Sequence, residues 1–358
     1  MKHKESMELD NCMMKPQRII LDKQTTQAVK GIAILMMIFH HCFGFASYWL
    51  DTPALSGAIV HVAGCFKLCV AVFAFLSGFG FFVVGKRPYR NTLWKTGTFL
   101  SQYWFQLFFI FLPIAMTNYT FSPIKIFYNL FAINDNIILF AWYVFFYLIV
   151  LLTFPLYRNL LCGTFLRDLL VVVIGGYACV VVLYFSPREG NKLLSALMDC
   201  VTFYPAVGIG YITAKHDLFG KAEARIHNTI STSILILAAV LLLRSKISTV
   251  KGFIFDMFYA PLFVFAAVLL LRQIRWPWFS EMLRTFGRLS FHTWLFHSIF
   301  FSAYTAPVVQ PLVNWSASMT VRFLLVTALS FGVAAIIDQL YTFLGRTFQK
   351  FKTEAANV

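Results

Sequence analysis

The stretch KGIAILMMIFHHCFG, residues 30–44, is built almost entirely from side chains that suit hydrocarbon, yet it contains two adjacent histidines, His40 and His41. Its only lysine, Lys30, stands at its start. An ionisable side chain at membrane depth is costly unless it faces a partner or a polar cavity. We therefore take the two histidines as candidate functional residues within a membrane-spanning helix.

The composition of the whole chain agrees with this interpretation. Of 358 residues, 59% are hydrophobic and 13% are charged, and the mean hydropathy is +0.72. Apolar runs of roughly 20 residues, each able to cross a hydrocarbon core of about 30 Å, recur along the chain and lack the alternation of an outer-membrane barrel. The sequence thus predicts an all-α fold, a polytopic membrane helix bundle of about ten transmembrane helices. The predicted spans are residues 29–49, 58–84, 93–116, 137–156, 166–185, 195–214, 226–243, 254–272, 289–312 and 320–341.

The distribution of lysine and arginine predicts the orientation of the bundle. Most basic residues that flank the spans fall on the side that carries both termini, so we expect both termini to be cytoplasmic. The weakest part of this assignment is the loop with Arg244, Lys246 and Lys251, which it places outside. We expect a polar N-terminal tail over 1–28, one membrane domain over 29–345 and a C-terminal tail over 346–358.

The net charge of +15 is explained by this orientation and by attraction to anionic membrane lipid. No basic soluble module indicates nucleic-acid binding. The seven cysteines are an odd number, mostly inside spans, which argues against a disulfide framework. Cys65 and Cys69 share a helix face with His61, but no nearby carboxylate or further imidazole completes a metal site, so we expect no metal.

The two adjacent histidines are expected to do different jobs, because neighbouring helical residues point about 100° apart. For His40 we favour a structural role against a neighbouring carbonyl or the headgroups. His41 follows Lys30 after ten intervening residues, roughly 16 Å along a helix. A lysine at the membrane boundary could hold the anionic end of a donor while its reactive end reaches the imidazole.

Several segments resemble the membrane acyltransferase 3 family, the bacterial O-acyltransferases that modify surface glycans and other hydroxyl-bearing molecules. KGIAILMMIFHH is similar to the family's opening signature, with Lys30 in place of the usual arginine and His41 on the essential histidine. KLCVAVFAFLSGFGFF is similar to a Phe-rich segment that ends in Ser77, Gly78 and Phe79. The likeness covers residues 24–345.

Two later segments extend the resemblance. WYVFFYLIVLLTFP resembles a middle segment of the family, although Phe145 and Phe146 stand where many members carry a glutamate pair. FGRLSFHTWLFHSIF resembles the late segment in which a Trp-Leu-x-His group recurs, here at Trp294, Leu295 and His297. The chain lacks the hydrolase-like domain that some relatives append, so either the bundle or a separate partner would complete the transfer.

The resemblance implies a donor, an acceptor and a reaction. The donor is acetyl-coenzyme A or another short acyl-coenzyme A, and its phosphates would be bound from the cytoplasm by Lys30, Arg87 and Arg90, although the arginine pair is only an approximate counterpart of the family's. The acceptor is a hydroxyl of a cell-surface polysaccharide, a lipid-linked saccharide or another envelope glycan. Hydroxyl acylation needs a base, and a buried imidazole is neutral, so His41 is expected to act as general base or as acyl carrier.

Two further ionisable residues are candidates for the catalytic site. His297 is expected, about two turns from the cytoplasmic end of its span, either to orient the thioester or acceptor or to make an interhelical hydrogen bond. Lys67 polarises a carbonyl oxygen, counters a carboxylate or extends toward the outer headgroups.

A second class of function also fits the buried histidines. An ion-coupled transporter or a glycan flippase places ionisable residues at the midplane of many helices, although no inverted repeat or pair of broken helices is evident. The resemblance favours the enzyme, located as a multi-pass protein in the bacterial plasma membrane. The residues identify neither the sugar nor the oligomeric state.

Overall fold

The computed structural model describes residues 21–86, 88–133, 137–186, 191–227, 229–250 and 253–356, with side chains as far as residue 344. Arg87 and most of the predicted N-terminal tail lie outside the described residues. In chain order the helices are α1 (Lys23–Gly44), α2 (Gly57–Phe66), α3 (Cys69–Val84), α4 (Tyr89–Gln106), α5 (Leu112–Ala115), α6 (Pro123–Leu130), α7 (Trp142–Tyr157), α8 (Phe165–Phe185), α9 (Lys192–Lys215), α10 (Leu218–Glu223), α11 (Ile230–Lys246), α12 (Asp256–Gln273), α13 (Pro277–His297), α14 (Ala306–Val309), α15 (Pro311–Asn314) and α16 (Met319–Ala356).

The fold is the predicted polytopic helical bundle. Between α11 and α12 lies a short antiparallel hairpin of Thr249–Val250 and Phe253–Ile254. A π-helical turn, Leu107–Phe111, joins α4 to α5. Eight helices of the described chain are long and apolar enough to cross a membrane. They are Lys23–Gly44, Gly57–Val84, Tyr89–Ala115, Trp142–Leu160, Phe165–Tyr184, Lys192–Lys215, Asp256–Gln273 and Met319–Leu344.

Two predicted spans differ from the observed helices. The span predicted over 226–243 is α11, whose 17 residues extend about 26 Å, slightly less than a hydrocarbon core. The span predicted over 289–312 is α13, which begins at Pro277 and ends at His297. Proline suits the first turn of a helix because its missing N–H has no helical partner there.

The bounds of α13 place His297 at the end of its helix. The helix carries Glu281, Arg284 and Arg288 before that end, and these side chains favour water over lipid. After His297 the chain turns through a 3-10 segment, Ser298–Phe300. His297 follows Arg288 by nine residues, about two and a half turns, and its depth of about two turns from the cytoplasmic end of its span stays a prediction.

Helices α1 and α13 cross in close contact through two glycines. A Cβ on Gly31 would overlap the carbonyl oxygen of Leu283, and a Cβ on Gly287 would overlap that of Gln27. Small residues allow such close backbone approach in membrane bundles. Because His41 and His297 also touch at the far end of the pair, the two helices run parallel. His41 follows Gly31 by ten positions and His297 follows Gly287 by ten, so both histidines reach one level.

Helices α3 and α9 form a second close pair. A Cβ on Gly78 would overlap the carbonyl oxygen of Val207, and one on Gly210 would overlap that of Phe75. These reciprocal contacts match those of α1 and α13 and indicate another parallel pair. The core between the two pairs is apolar, and large exposed apolar side chains of α4, α8, α11 and α16 form the exterior that lipid requires.

Candidate active site

The centre of the candidate site is a contact between two buried histidines. Nδ1 of His41 lies 2.8 Å from Nε2 of His297, across 256 positions of the sequence. His41 is 9% exposed and His297 is fully buried. The ring of His41 thus points into the bundle and not into lipid. We call this pair the histidine dyad.

The hydrogen bonds of the dyad define which nitrogens carry protons. Nδ1 of His297 lies 3.3 Å from the carbonyl oxygen of Thr293, which can only accept, so this nitrogen carries the proton. In the neutral ring, Nε2 of His297 must then accept, and Nδ1–H of His41 donates to it. This leaves the lone pair of His41 on Nε2, which has no hydrogen-bond partner among the described residues. The dyad therefore presents one basic nitrogen.

An aromatic ring fixes the plane of the dyad. Phe140 stacks on His41 with 3.6 Å between ring centroids and 3° between planes, and it lies 5.4 Å from the ring of His297 at 11°. Sequence reasoning missed Phe140, because one phenylalanine among 41 carries no pattern that separates it from lipid-facing rings.

His40, next to the dyad in the sequence, makes a structural contact between helices. Nδ1 of His40 donates to the carbonyl oxygen of Ala63 at 2.7 Å and so ties α1 to α2. This is the kind of interhelical contact expected for His40. His40 thus contacts α2, whereas His41 contacts α13.

Lys67 and Asp199 lie on the side of the bundle that carries the dyad. Lys67 occupies the break between α2 and α3, and its side chain is exposed, without an ion pair among the described residues. It precedes Gly78 by eleven positions, as Asp199 precedes Gly210 in the parallel helix α9, so the two reach one level. The charge of Lys67 acts on His40, His41 and Asp199.

Buried polar contacts hold the chain beyond the dyad. Gln310 is fully buried, and its amide donates to the carbonyl oxygens of Tyr48 and Phe300, both at 2.6 Å. Its side-chain oxygen accepts from the N–H of Leu50 at 2.8 Å. Tyr48 follows α1 and Phe300 follows α13. The Gln310 side chain therefore joins the segment after His41 to the segment after His297.

An ion pair supports the same segment. Both guanidinium nitrogens of Arg322 bind the carboxylate of Asp51, at 2.9 and 2.6 Å, and the guanidinium lies 5.4 Å from the ring of Trp49. The indole of Trp49 donates to the carbonyl oxygen of Cys42 at 3.0 Å. The bond to Arg322 holds the pKa of Asp51 below its ordinary value. The loop after α1 is thus fixed to α16.

The predicted donor-binding residues lie toward the other side of the bundle. Lys30 is half-buried in the first half of α1 and has no ion pair among the described residues. Arg90 is exposed in the first turn of α4. Arg158 is buried and donates to the carbonyl oxygen of Gly85, which directly follows α3, at 3.1 Å. A lone arginine beside a span carries no signal that tells anchoring from burial.

Of the predicted site residues, the structure brings His41 and His297 into direct contact and places Lys67 within electrostatic reach of His41. Lys30 and Arg90 make no contact with the dyad. Within the described chain no three histidine, cysteine or acidic side chains come together as metal ligands. The bundle thus holds a buried base at His41. On its opposite side lie two cations, Lys30 and Arg90, that have no ion pair among the described residues.

Comparison with protein families identifies the chain. Residues 26–338 match the model of the acyltransferase 3 family, described as an acyltransferase domain. This protein belongs to the acyltransferase 3 family. No curated protein and no solved structure matches it. It is therefore a membrane acyltransferase by family, and the histidine dyad lies inside the matched region.

Proposed function

We propose that this acyltransferase 3 member transfers an acetyl or other short acyl group from acyl-coenzyme A to a hydroxyl of a cell-surface polysaccharide, a lipid-linked saccharide or another envelope glycan. The family membership supports acyl transfer. The free Nε2 of His41 is the single observation that carries the proposal. We propose the bacterial plasma membrane as its location.

The dyad suits the chemistry of hydroxyl acylation. As general base, Nε2 of His41 takes the hydroxyl proton while the hydroxyl oxygen attacks the thioester carbonyl carbon. The C–S bond then breaks, and the imidazolium returns the proton to the departing thiolate. As acyl carrier, the same lone pair attacks the thioester carbonyl carbon, the C–S bond breaks and the thiolate leaves. The hydroxyl oxygen then takes the acyl group as the N–C bond breaks, and the hydroxyl proton goes to the thiolate. In both versions His297 accepts a hydrogen bond from Nδ1–H and holds the ring.

The donor would enter from the side that carries Lys30, Arg87 and Arg90, predicted to be cytoplasmic. Its phosphates need positive charge, and Lys30 and Arg90 have no ion pair among the described residues. The distance from Lys30 to His41 along α1 is roughly 16 Å, which an extended coenzyme A arm can span. The adenine-bearing end thus stays at the membrane surface while the thioester reaches the dyad.

The acceptor would approach from the opposite side, where Lys67 and Asp199 stand. A carboxylate accepts hydrogen bonds from sugar hydroxyls, and an ammonium donates to ring or hydroxyl oxygens. Both side chains are exposed although they belong to apolar segments. A surface with these two polar side chains fits a saccharide better than an acyl chain.

The proposal is tested with purified protein in vesicles, given acetyl-coenzyme A labelled in the acetyl group and a panel of envelope glycans. We expect label on the glycan that alkali removes, as an ester requires. Heat-inactivated protein is the control. Movement of glycan across the membrane without label incorporation would instead support a transporter or flippase and contradict the proposal.

A further inference from the structure

Two buried hydrogen-bond donors have no partner within the described chain. They are the indole N–H of Trp294 and the hydroxyl of Tyr143, and the residues are 7% and 9% exposed. Ser77 lies near that hydroxyl but makes no hydrogen bond to it in this structure, and its own hydroxyl donates to the carbonyl oxygen of Phe73 at 2.9 Å. Buried donors are nearly always bonded, because an unpaired donor loses its hydrogen bonds to water and gains none within the protein. Two together indicate a ligand that is bound during function.

The two donors belong to one place in the bundle. The rings of Trp294 and Tyr143 lie 4.2 Å apart between centroids. Phe73 packs against both rings, at 5.4 Å from Trp294 and 6.5 Å from Tyr143. The surroundings are thus apolar, and a ligand atom that reaches these donors must itself be an acceptor.

The position of this pair follows from one helical spacing and two ring contacts. Trp294 precedes His297 by three residues on α13 and shares its face. Tyr143, in the first turn of α7, lies against Trp294, just as Phe140, in the turn before α7, lies 5.4 Å from His297. Since α13 and α7 run in opposite directions across the bundle, both displacements point the same way. The donors lie about one turn, roughly 5 Å, from the dyad toward the side that carries Lys30.

We propose that the indole N–H of Trp294 and the hydroxyl of Tyr143 bind the carbonyl oxygen of the donor thioester. This inference rests on the proposed function. When the hydroxyl oxygen of the acceptor attacks the carbonyl carbon, the π electrons of the C=O bond move to the carbonyl oxygen. The two donors stabilise the negative charge that forms there. When the C–S bond breaks, the C=O bond forms again and the charge leaves with the sulfur. Preorganised donors in a dry site are the effective form of such stabilisation.

Two variants remove one donor each: Tyr143→Phe, which keeps the shape of the ring, and Trp294→Phe, which also makes the ring smaller. We expect each to lower kcat for acyl transfer by about 100-fold, with little change in KM for the donor. The melting temperature of Tyr143→Phe should stay unchanged, because its hydroxyl is not bonded in the resting protein, whereas that of Trp294→Phe should fall only by the effect of the smaller ring. Tyr103→Phe is the matched structural control, since it breaks a buried bond of 2.6 Å to the carbonyl oxygen of Asn129. It should lower the melting temperature and leave the kcat of the folded protein unchanged.

A spectroscopic measurement separates this inference from the proposed function. His41→Ala protein is mixed with acetyl-coenzyme A carrying ¹³C at the carbonyl, and the C=O stretch of the bound donor is recorded. We expect a shift to lower frequency that becomes smaller when Trp294→Phe or Tyr143→Phe is added. A shift that both variants leave intact, or a fall in melting temperature that explains their loss of activity, would overturn the inference while acyl transfer stands. No binding of the donor would instead contradict the proposed function.

Discussion

The reactivity of His41 depends on a carbonyl oxygen that it does not touch. The carbonyl of Thr293 accepts from Nδ1 of His297, and this bond forces Nε2 of His297 to accept from His41. When Nε2 of His41 takes up a proton, the new charge is shared along the same chain of hydrogen bonds. The second histidine thus orients the first and stabilises its charged form.

This arrangement predicts different results for two substitutions of His297. In His297→Gln, the amide oxygen can take the place of Nε2 and still accept from His41, whereas His297→Leu leaves Nδ1–H of His41 buried and unpaired. We expect His297→Leu to lower kcat by about 100-fold and His297→Gln to recover much of that loss. Steady-state kinetics with labelled donor measures both. Equal losses in the two variants would show that the hydrogen bond has no role in orienting His41.

The two histidines were predicted from the sequence one at a time, because an imidazole in an apolar run stands out by its cost. Their contact was not predicted. Hydrophobic periodicity tells which face of a helix is buried, but it does not fix the register between helices 256 positions apart. Phe140 and the unpaired donors of Trp294 and Tyr143 were missed for a related reason, since an aromatic residue in a membrane helix is expected almost anywhere.

At the scale of elements, the glycine crossing of α1 and α13 determines where the dyad forms. Gly31 and Gly287 bring the backbones together, and equal spacing of ten residues from each glycine aligns His41 with His297. With the pair known, the repeated spacing can be recognised in the sequence, but it identifies no partner helix by itself. The bounds of α13 were also mispredicted, because its charged first turns look like a loop.

Adding a methyl group where α1 crosses α13 should move His41 and His297 apart. Gly287→Ala places a Cβ against the carbonyl oxygen of Gln27, and overpacking of this kind costs about 1–3 kcal/mol. We expect a lower melting temperature together with a loss of acyl transfer. Gly332→Ala, at a helical glycine with nothing within 4 Å of the new Cβ, is the matched control and should change neither. If Gly287→Ala keeps full stability and activity, the crossing does not position the dyad.

The ion pair after α1 gives the protein a pH-dependent contribution to stability. The pKa of Asp51 is held below its ordinary value by Arg322, so the folded state favours the carboxylate. This contribution is present above the ordinary value near 4 and is lost as the pH falls through the folded-state pKa. It is small, because the Asp51 side chain is 45% exposed.

Melting temperatures of the wild type and Asp51→Asn should show this. We expect the wild type to be more stable at pH 6 and the difference to shrink as the pH is lowered toward 3. A difference that does not depend on pH would mean that the loop is held by the other contacts of Arg322 and Trp49.

At the scale of the whole molecule, composition alone predicted a polytopic helical bundle, since lipid admits few other folds for such runs. The charge that fitted the predicted orientation least is Arg244. Its guanidinium binds both carboxylate oxygens of Asp256, at 2.8 and 2.9 Å, inside the bundle. A neutralised, buried cation does not act as an orientation signal, and the sequence did not reveal this pairing. Arg244 is therefore no exception to the predicted orientation, whereas Lys246 in the same segment is exposed.

The orientation can be checked with a cysteine of the native chain. Cys162 is free and exposed in the loop between α7 and α8, on the side predicted to be cytoplasmic. A membrane-impermeant maleimide should label it in inside-out vesicles and spare it in right-side-out vesicles, as read by mass spectrometry of the intact wild type. Cys179, exposed on the apolar helix α8, should react from neither side. Labelling of Cys162 in right-side-out vesicles alone would invert the topology.

The most direct measurement of the central claim is acyl transfer by the His41→Ala protein. Purified wild type, His41→Ala and His61→Ala are compared with labelled donor and acceptor, the last as a control because His61 is exposed and outside the dyad. We expect His41→Ala to lose at least about 100-fold in activity, with a melting temperature close to that of the wild type, and His61→Ala to keep full activity. Full activity of folded His41→Ala would contradict the central claim, because neither a base nor an acyl carrier would then be needed at that position.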